Sequence, residues 1–202
     1  MIRRRVLTML CAAASLALVG ACDKPGGPSA PSAGFKGIDI TGAEYARDFA
    51  LPDVEGRTRT LADFKGRAVV VFFGYTQCPD VCPTTMAELA QIKKLLGADG
   101  ERLQAVFITV DPERDTPELL KAYMASFDPG FIALRGDLAQ TTALAKSYKA
   151  FFQKVPGKEP GSYSMDHTAG AWVYDPQGRI RLFVRYGQPV EAWASDLRQL
   201  LG

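Results

Sequence analysis

Imidazole and thiol are both scarce in this chain, which has one histidine and four cysteines in 202 residues. Any thiol or soft-metal chemistry therefore has very few residues to draw on. Charge of one sign is missing too: Lys and Arg number 24 against 22 for Asp and Glu. Without Arg3, Arg4 and Arg5 of the extreme N-terminus the balance is 21 against 22. A near-neutral body lacks the basic footprint of a nucleic-acid binder, so no nucleic acid is expected as a partner. A long apolar run is lacking as well. The one candidate, residues 6–19, falls short of the roughly 20 residues a spanning helix needs. No internal repeat is visible, and apolar and charged fractions of 47% and 23% are ordinary for a globular chain.

The N-terminus reads MIRRRVLTMLCAAASLALVGAC: a basic start, a short apolar stretch, then small residues. That layout is a secretory signal, with an uncleaved anchor helix as the competing reading. Val19-Gly20-Ala21-Cys22 resembles the lipobox of bacterial lipoproteins, in which the cysteine is acylated and becomes the new N-terminus. Residues 1–21 are therefore expected to be a lipoprotein-type signal peptide, and Cys22 the lipidated residue. Residues 22–40 are rich in Pro, Gly, Ser and Ala and have little to bury, so they are expected to form a flexible tether. Residues 41–202 suffice for one domain with a proper core. The whole implies a domain anchored by lipid to a bacterial inner membrane, on its periplasmic or extracytoplasmic face.

Within the domain, FALPDVEGRTRTLADF suggests an N-terminal hairpin turning at Glu55-Gly56. The β-branched and aromatic run 68–73 predicts a strand buried on both faces. Gly74 ends it, and a loop carries two cysteines. Thr84 or Thr85 is placed to cap a helix bearing Met86, Leu89, Ile92, Leu95 and Leu96 at helical spacing. Residues 103–110 predict a second buried strand. Thr116-Pro117-Glu118 reads as N-cap, N1 proline and first-turn acid of a helix to about 127. A strand at 131–134 and a helix at 138–152 follow. KVPGKEPGSYSMDHT is expected to be a loop or irregular hairpin. Strands at 171–174 and 180–186 flank the turn Asp175-Pro176-Gln177-Gly178, and a helix covers 189–201. Strands alternating with helices indicate an α/β fold, a mixed central sheet flanked by helices. The cysteines would lie past the C-terminal end of the first buried strand, where open α/β sheets carry their sites.

With Cys11 in the leader and Cys22 lipidated, Cys78 and Cys82 are the two thiols of the mature body. Cys78-Pro79-Asp80-Val81-Cys82 sets them at i and i+4, one face of a helical turn. Such a pair can converge on one ion or close a disulfide. Pro79 and Pro83 stiffen the segment, and a helix N-terminus would favour thiolate. Three uses remain open: a structural disulfide, a dithiol–disulfide oxidoreductase (redox-active pair Cys78 and Cys82), and a metal site. A bridge over so few residues constrains the unfolded chain little, and oxidoreductases usually separate their cysteines by two residues. A metal site needs a further ligand, and His167 is the sole imidazole. Two thiolates and an imidazole form a soft set suited to copper, whereas structural zinc usually takes four protein ligands. Asp166 is one candidate to orient the His167 ring.

FFGYTQCPDVCPTT, VDPERDTP and MDHTAGAWVYDPQGR resemble, in order, the three signature segments of the Sco/SenC family. GIDITGAEYARDFALPDVEGRTRTLADFKGR is similar to its N-terminal part, and the likeness runs from about Phe35 to the C-terminus. The resemblance implies a thioredoxin-like (peroxiredoxin-like) fold with an insertion before the His-bearing strand. It implies Cys78, Cys82 and His167 as metal ligands and copper, Cu(I) or Cu(II), as the ion. It also implies a metallochaperone assisting assembly of the dinuclear copper centre of cytochrome c oxidase. Partners would be the oxidase's copper-bearing subunit and an upstream copper donor or thiol reductant. A reductase of that or another exported protein's cysteines, and a peroxidase on the same fold, are the alternatives. Asp166-His167 is expected where thioredoxins place a cis-proline. Asp111 is expected at the same rim, behind the ligands, and Asp115 as a helix cap. Met165 is a soft-ligand candidate otherwise read as packing, while Phe73, Tyr75 and Trp172 are read as core or rim.

Overall fold

The computed structural model describes residues 34–202. The expected signal peptide, Cys22 and the tether up to residue 33 lie outside the described residues. The tether was expected to reach Ile40, yet the folded unit begins at Gly34. Strand β1 (Ile38–Asp39) pairs with β10 (Ile180–Arg185), and the buried Asp196 carboxylate accepts the backbone N–H groups of Lys36 and Gly37. These bonds recruit a Pro/Gly-flanked stretch that buries little of its own, so composition alone could not include it.

A six-stranded sheet organises the domain, in the order β1, β10, β9 (Gly170–Tyr174), β4 (Ala68–Gly74), β5 (Leu103–Thr109), β6 (Ile132–Leu134). β4, β5 and β6 run parallel, whereas β9, β10 and β1 join antiparallel to the other side of β4. The sheet is mixed, as the alternation of elements implied. Every residue of β4 and β5 is buried, because helices cover both faces of the central strands.

Two right-handed crossovers in the same direction place α1 (Val81–Leu95) and α2 (Pro117–Ala125) on one face. There Phe72 and Phe107 lie beside each other, and Phe107 meets Tyr123 of α2. Helix α4 (Val190–Leu201) packs beside α1. The opposite face carries Phe73 and Trp172, packed edge-on against Tyr148 at the end of α3 (Leu138–Ser147). Phe73 and Trp172 are thus core.

The N-terminal hairpin forms as expected, β2 (Leu51–Pro52) against β3 (Thr58–Arg59). Gly56 takes φ 79° in its turn, a conformation glycine adopts without steric cost. Asp53 accepts the N–H groups of Glu55 and Arg57, with Arg59 against its other oxygen.

Two expected boundaries move. Helix α1 starts at Val81, ahead of Thr84, because Pro83 sits in the first turn, where no intrahelical N–H is required. Helix α3 stops at Ser147, short of the expected 152. Lys149 adopts φ 54°, and the chain turns into a regular hairpin, β7 (Phe152–Pro156) against β8 (Tyr163–His167). Burial of Tyr148 and pairing of Phe152 with His167 oppose the helical continuation. This hairpin stands where an insertion before the His-bearing strand was expected, but His167 ends its second strand rather than a strand after it. Among the described residues no helix is long and apolar enough to cross a membrane.

Candidate metal centre

The site begins where β4 ends. Beyond Gly74 the chain turns, Cys78 N–H donating to the Tyr75 carbonyl at 3.3 Å, and Asp80 leads into α1. Cys82 occupies the second position of α1 and is fully buried, so the loop expected to carry both cysteines carries Cys78 alone. Its sulfur lies beneath Gly74. A Cβ built on Gly74 would stand 2.9 Å from Cys82 Sγ and 2.7 Å from the Phe107 ring. Absence of a side chain at the strand end is what admits the second sulfur.

Cys78 is half-buried, and its Sγ accepts the Cys82 backbone N–H at 3.4 Å. That N–H belongs to the first helical turn and has no intrahelical acceptor. A thiolate placed there also benefits from the positive end of the helix. Cys78 is held down to about 4, chiefly by its hydrogen bond with the Cys82 thiol. Burial opposes this, while His167 and the backbone N–H groups of Asp80 and Cys82 assist. Cys82 moves the opposite way, pushed up by sharing its proton with Cys78 and then by burial. The two thus move apart, Cys78 toward the thiolate and Cys82 toward the thiol.

His167 ends β8, half-buried. Its Nε2 lies 3.3 Å from Cys82 Sγ, and its Nδ1 lies 3.2 Å from the Thr168 carbonyl oxygen. For metal binding, a proton on Nδ1 donated to that carbonyl would leave the Nε2 lone pair for an ion held by the sulfurs. The ring stands edge-on to Phe72 and Tyr75, at centroid distances of 5.8 and 5.9 Å. The donor atoms of Cys78, Cys82 and His167 all lie within 4.8 Å of one another. Cys78 and His167 open onto a shallow basin also bordered by Val81, Phe151, Met165, Asp166 and Ala169, with Cys82 buried behind them.

The other candidates divide. Asp166 is exposed and makes no hydrogen bond to the ring; the Thr168 carbonyl does that instead. Asp166 borders the same basin as His167 without holding the ring. Met165 shares the His167 face two residues back and borders the basin, nearly buried. Asp111, buried just past β5, bonds Arg114 and the Tyr163 hydroxyl rather than a sulfur or the ring. Asp115 is no helix cap: Thr116 caps α2. Asp115 is fully buried and accepts the Thr76 N–H and the hydroxyls of Thr76 and Thr109. Burial pushes its carboxyl up, against those donors. Sequence reasoning passed over Phe72, Thr168 and Arg114. Only Arg114 carried a visible signal, as a cation between two acids in DPERD.

The Cys78 shift has a direct consequence. A thiol held near 4 is already ionised throughout the neutral range, where an ordinary thiol becomes nucleophilic only near its pKa of about 8.5. Alkylation of Cys78 in reduced, metal-free protein is therefore expected to proceed at an almost constant rate from pH 8 to pH 5. It should drop by half near pH 4, and buried Cys82 should react far more slowly. A rate climbing tenfold per unit through pH 7, by mass spectrometry of Cys78, would contradict the thiolate assignment.

Fold and site together define a thioredoxin-like domain whose dithiol opens α1 and whose inserted hairpin delivers an imidazole to it. The chain belongs to the SCO1/SenC family, which it matches over residues 39–202. It is 38% identical over 154 residues to the mitochondrial SCO2 homolog of Bos taurus, covering 75% of this chain and 58% of that protein. This chain therefore spans less than two thirds of that relative's length. A SCO2-like protein of Rickettsia felis is 34% identical over 153 residues, 75% of each chain. The copper-bound structure of Bradyrhizobium japonicum ScoI superposes with a TM-score of 0.68 at 41% identity, covering 76% of this chain and 97% of that one.

Proposed function

We propose that this protein carries one copper ion on Cys78, Cys82 and His167 and supplies it for assembly of the dinuclear copper centre of cytochrome c oxidase. The observation that carries the reading is the convergence of two sulfurs and one imidazole nitrogen within 4.8 Å. The donor chemistry fits the ion: thiolates favour Cu(I), and imidazole suits copper in either state. A three-donor site beside an open basin leaves a direction from which an acceptor's ligand can approach. Oxidation of the pair forms a Cys78–Cys82 bond, with two electrons and the remaining thiol proton passing to an external acceptor. It removes two of the three ligands at once, so redox state would separate loaded from empty protein. Cys22, acylated, would anchor the chain to the extracytoplasmic face of the inner membrane, and residues 22–33 would give it reach toward the oxidase subunit. Anaerobic Cu(I) loading of the full-length reduced protein, followed by metal analysis, should give one copper per chain. Less than a tenth of that in the wild type would sink the proposal, as would full loading of Cys82→Ser.

One observation favours a second reading, reduction of a partner's disulfide. A half-buried thiolate next to a buried thiol is the arrangement of an attacking and a resolving cysteine. Substitution of His167 separates the two, as argued below.

A further inference from the structure

Cys78 and His167 come from segments far apart in the chain, and neither sulfur nor ring fixes the gap between those segments. The loop that follows β5 does. Arg114 lies flat against the Tyr163 ring, its guanidinium carbon 3.6 Å from the centroid. One terminal nitrogen donates to the Tyr163 carbonyl at 2.8 Å and to Gln77 Oε1 at 3.1 Å. Its Nε donates to Asp111, whose other carboxylate oxygen accepts the Tyr163 hydroxyl at 2.9 Å. Tyr163 stands four residues before His167 on β8, and Gln77 immediately precedes Cys78. One guanidinium thus ties both ligand-bearing segments to one buried carboxylate.

Neighbouring contacts reinforce the tie. Asp115 holds Thr76, two residues before Cys78, through its backbone N–H and hydroxyl. Lys154 on β7 pairs with Glu113 at 2.7 Å and lies over the outer face of Tyr163. The remaining edge of the hairpin is exposed: Ser164, Asp166, Gln153 and Lys154 all face solvent. Met165 enters the core and Phe152 and Tyr163 pack against it, seating the inner face of the hairpin, while this polar clasp and the bonds between residues 151 and 168 hold its two ends in place.

We infer that Arg114, seated on Asp111 and stacked on Tyr163, is a positioning residue that sets the distance between the dithiol and the His167 imidazole. It touches neither sulfur nor ring. A planar fork with several donors is required, because three acceptors from three segments are met at fixed angles. Lysine, a single point of charge, cannot meet them together. The inference rests on the copper reading only for its metal-binding arm.

The test uses the full-length reduced protein and variants Arg114→Ala, Arg114→Lys and Tyr163→Phe. His167 is the sole histidine, so every imidazole signal in a nuclear magnetic resonance spectrum of metal-free protein reports this ring. In the wild type its protons should be displaced by the Phe72 and Tyr75 rings. Both arginine variants should lose that displacement while dispersed methyl signals persist. Tyr163→Phe, which keeps the stacked ring, should retain most of it. In the metal arm, Arg114→Ala should lower Cu(I) affinity about ten- to hundredfold, the range for residues that orient a metal ligand. Adding His167→Ala to Arg114→Ala should then cost less than His167→Ala costs alone, since an already displaced ring has little left to lose. Unchanged ring signals in Arg114→Ala would overturn the positioning role whatever the metal arm shows, and so would strictly additive affinity losses. Failure of the wild type to bind copper, with ring signals lost in Arg114→Ala, would leave the positioning role standing and remove the copper reading alone.

Discussion

His167→Ala is expected to lower Cu(I) affinity by more than a hundredfold while leaving the Cys78–Cys82 pair active in thiol exchange. Residues that merely orient a metal ligand are worth ten- to hundredfold, and a direct donor should exceed them. The ring supplies one of three donors, and its Nε2 faces the sulfurs at 3.3 Å from Cys82. Thiol exchange depends instead on the Cys78 thiolate, whose ionisation draws mainly on Cys82, with His167 a smaller contributor. Competition with a Cu(I) chelator measures the first quantity, and reduction of a mixed-disulfide probe the second. Loss of exchange with copper affinity intact would reverse the assignment and make the protein a reductase.

The same ionisation pattern fixes the pH response. Cys78 already lacks its proton at neutral pH, so copper displaces one proton from the sulfurs, that of Cys82. From the sulfurs alone, affinity should fall about tenfold per pH unit between pH 8 and pH 5. Below about 4 the fall should steepen, as Cys78 too must lose a proton. A hundredfold fall per unit near neutrality would mean that both thiols are protonated there.

Gly74→Ala should cost about 1–3 kcal/mol, the usual range for overfilling a packed core. At roughly 2–4 °C per kcal/mol for a domain of this size, the melting midpoint should fall by several degrees. The added carbon would meet Cys82 Sγ at 2.9 Å and the Phe107 and Phe72 rings at 2.7 and 2.9 Å. All three neighbours are buried and hemmed in by β5 and α1, so none can yield cheaply. Because the sulfur is one of the three, copper affinity should fall together with stability. Calorimetry and chelator competition on one preparation decide it; a variant with unaltered melting and affinity would show that α1 can shift away from the strand.

Much of the fold was legible because its signals are local. The β-branched run of β4, the Thr-Pro-Glu start of α2 and the Asp-Pro-Gln-Gly turn before β10 each depend on residues a few positions apart. The start of α1 moved for a local reason, Pro83 in its first turn, while the other misplaced boundaries depended on distant partners. Strand β1 exists only through β10 and Asp196, and α3 ends early because Tyr148 is drawn under Phe73 and Trp172. For the site, scarcity did the work: one imidazole and four cysteines left few combinations to weigh. Asp166 borders the basin beside His167, but the ring nitrogen meets the Thr168 carbonyl instead, a backbone contact that no residue type announces.

Residue identity and short-range spacing established which soft atoms are available, that two sulfurs stand four residues apart, and that the sheet is mixed. Folding alone settled how far the imidazole stands from the sulfurs, how deeply each sulfur is buried, and which side chains meet the hairpin. Those properties come from contacts between segments dozens of residues apart, Gly74 over Cys82 and Arg114 between Gln77 and Tyr163. Distances and proton affinities respond to three-dimensional surroundings, which no local pattern of residue types encodes.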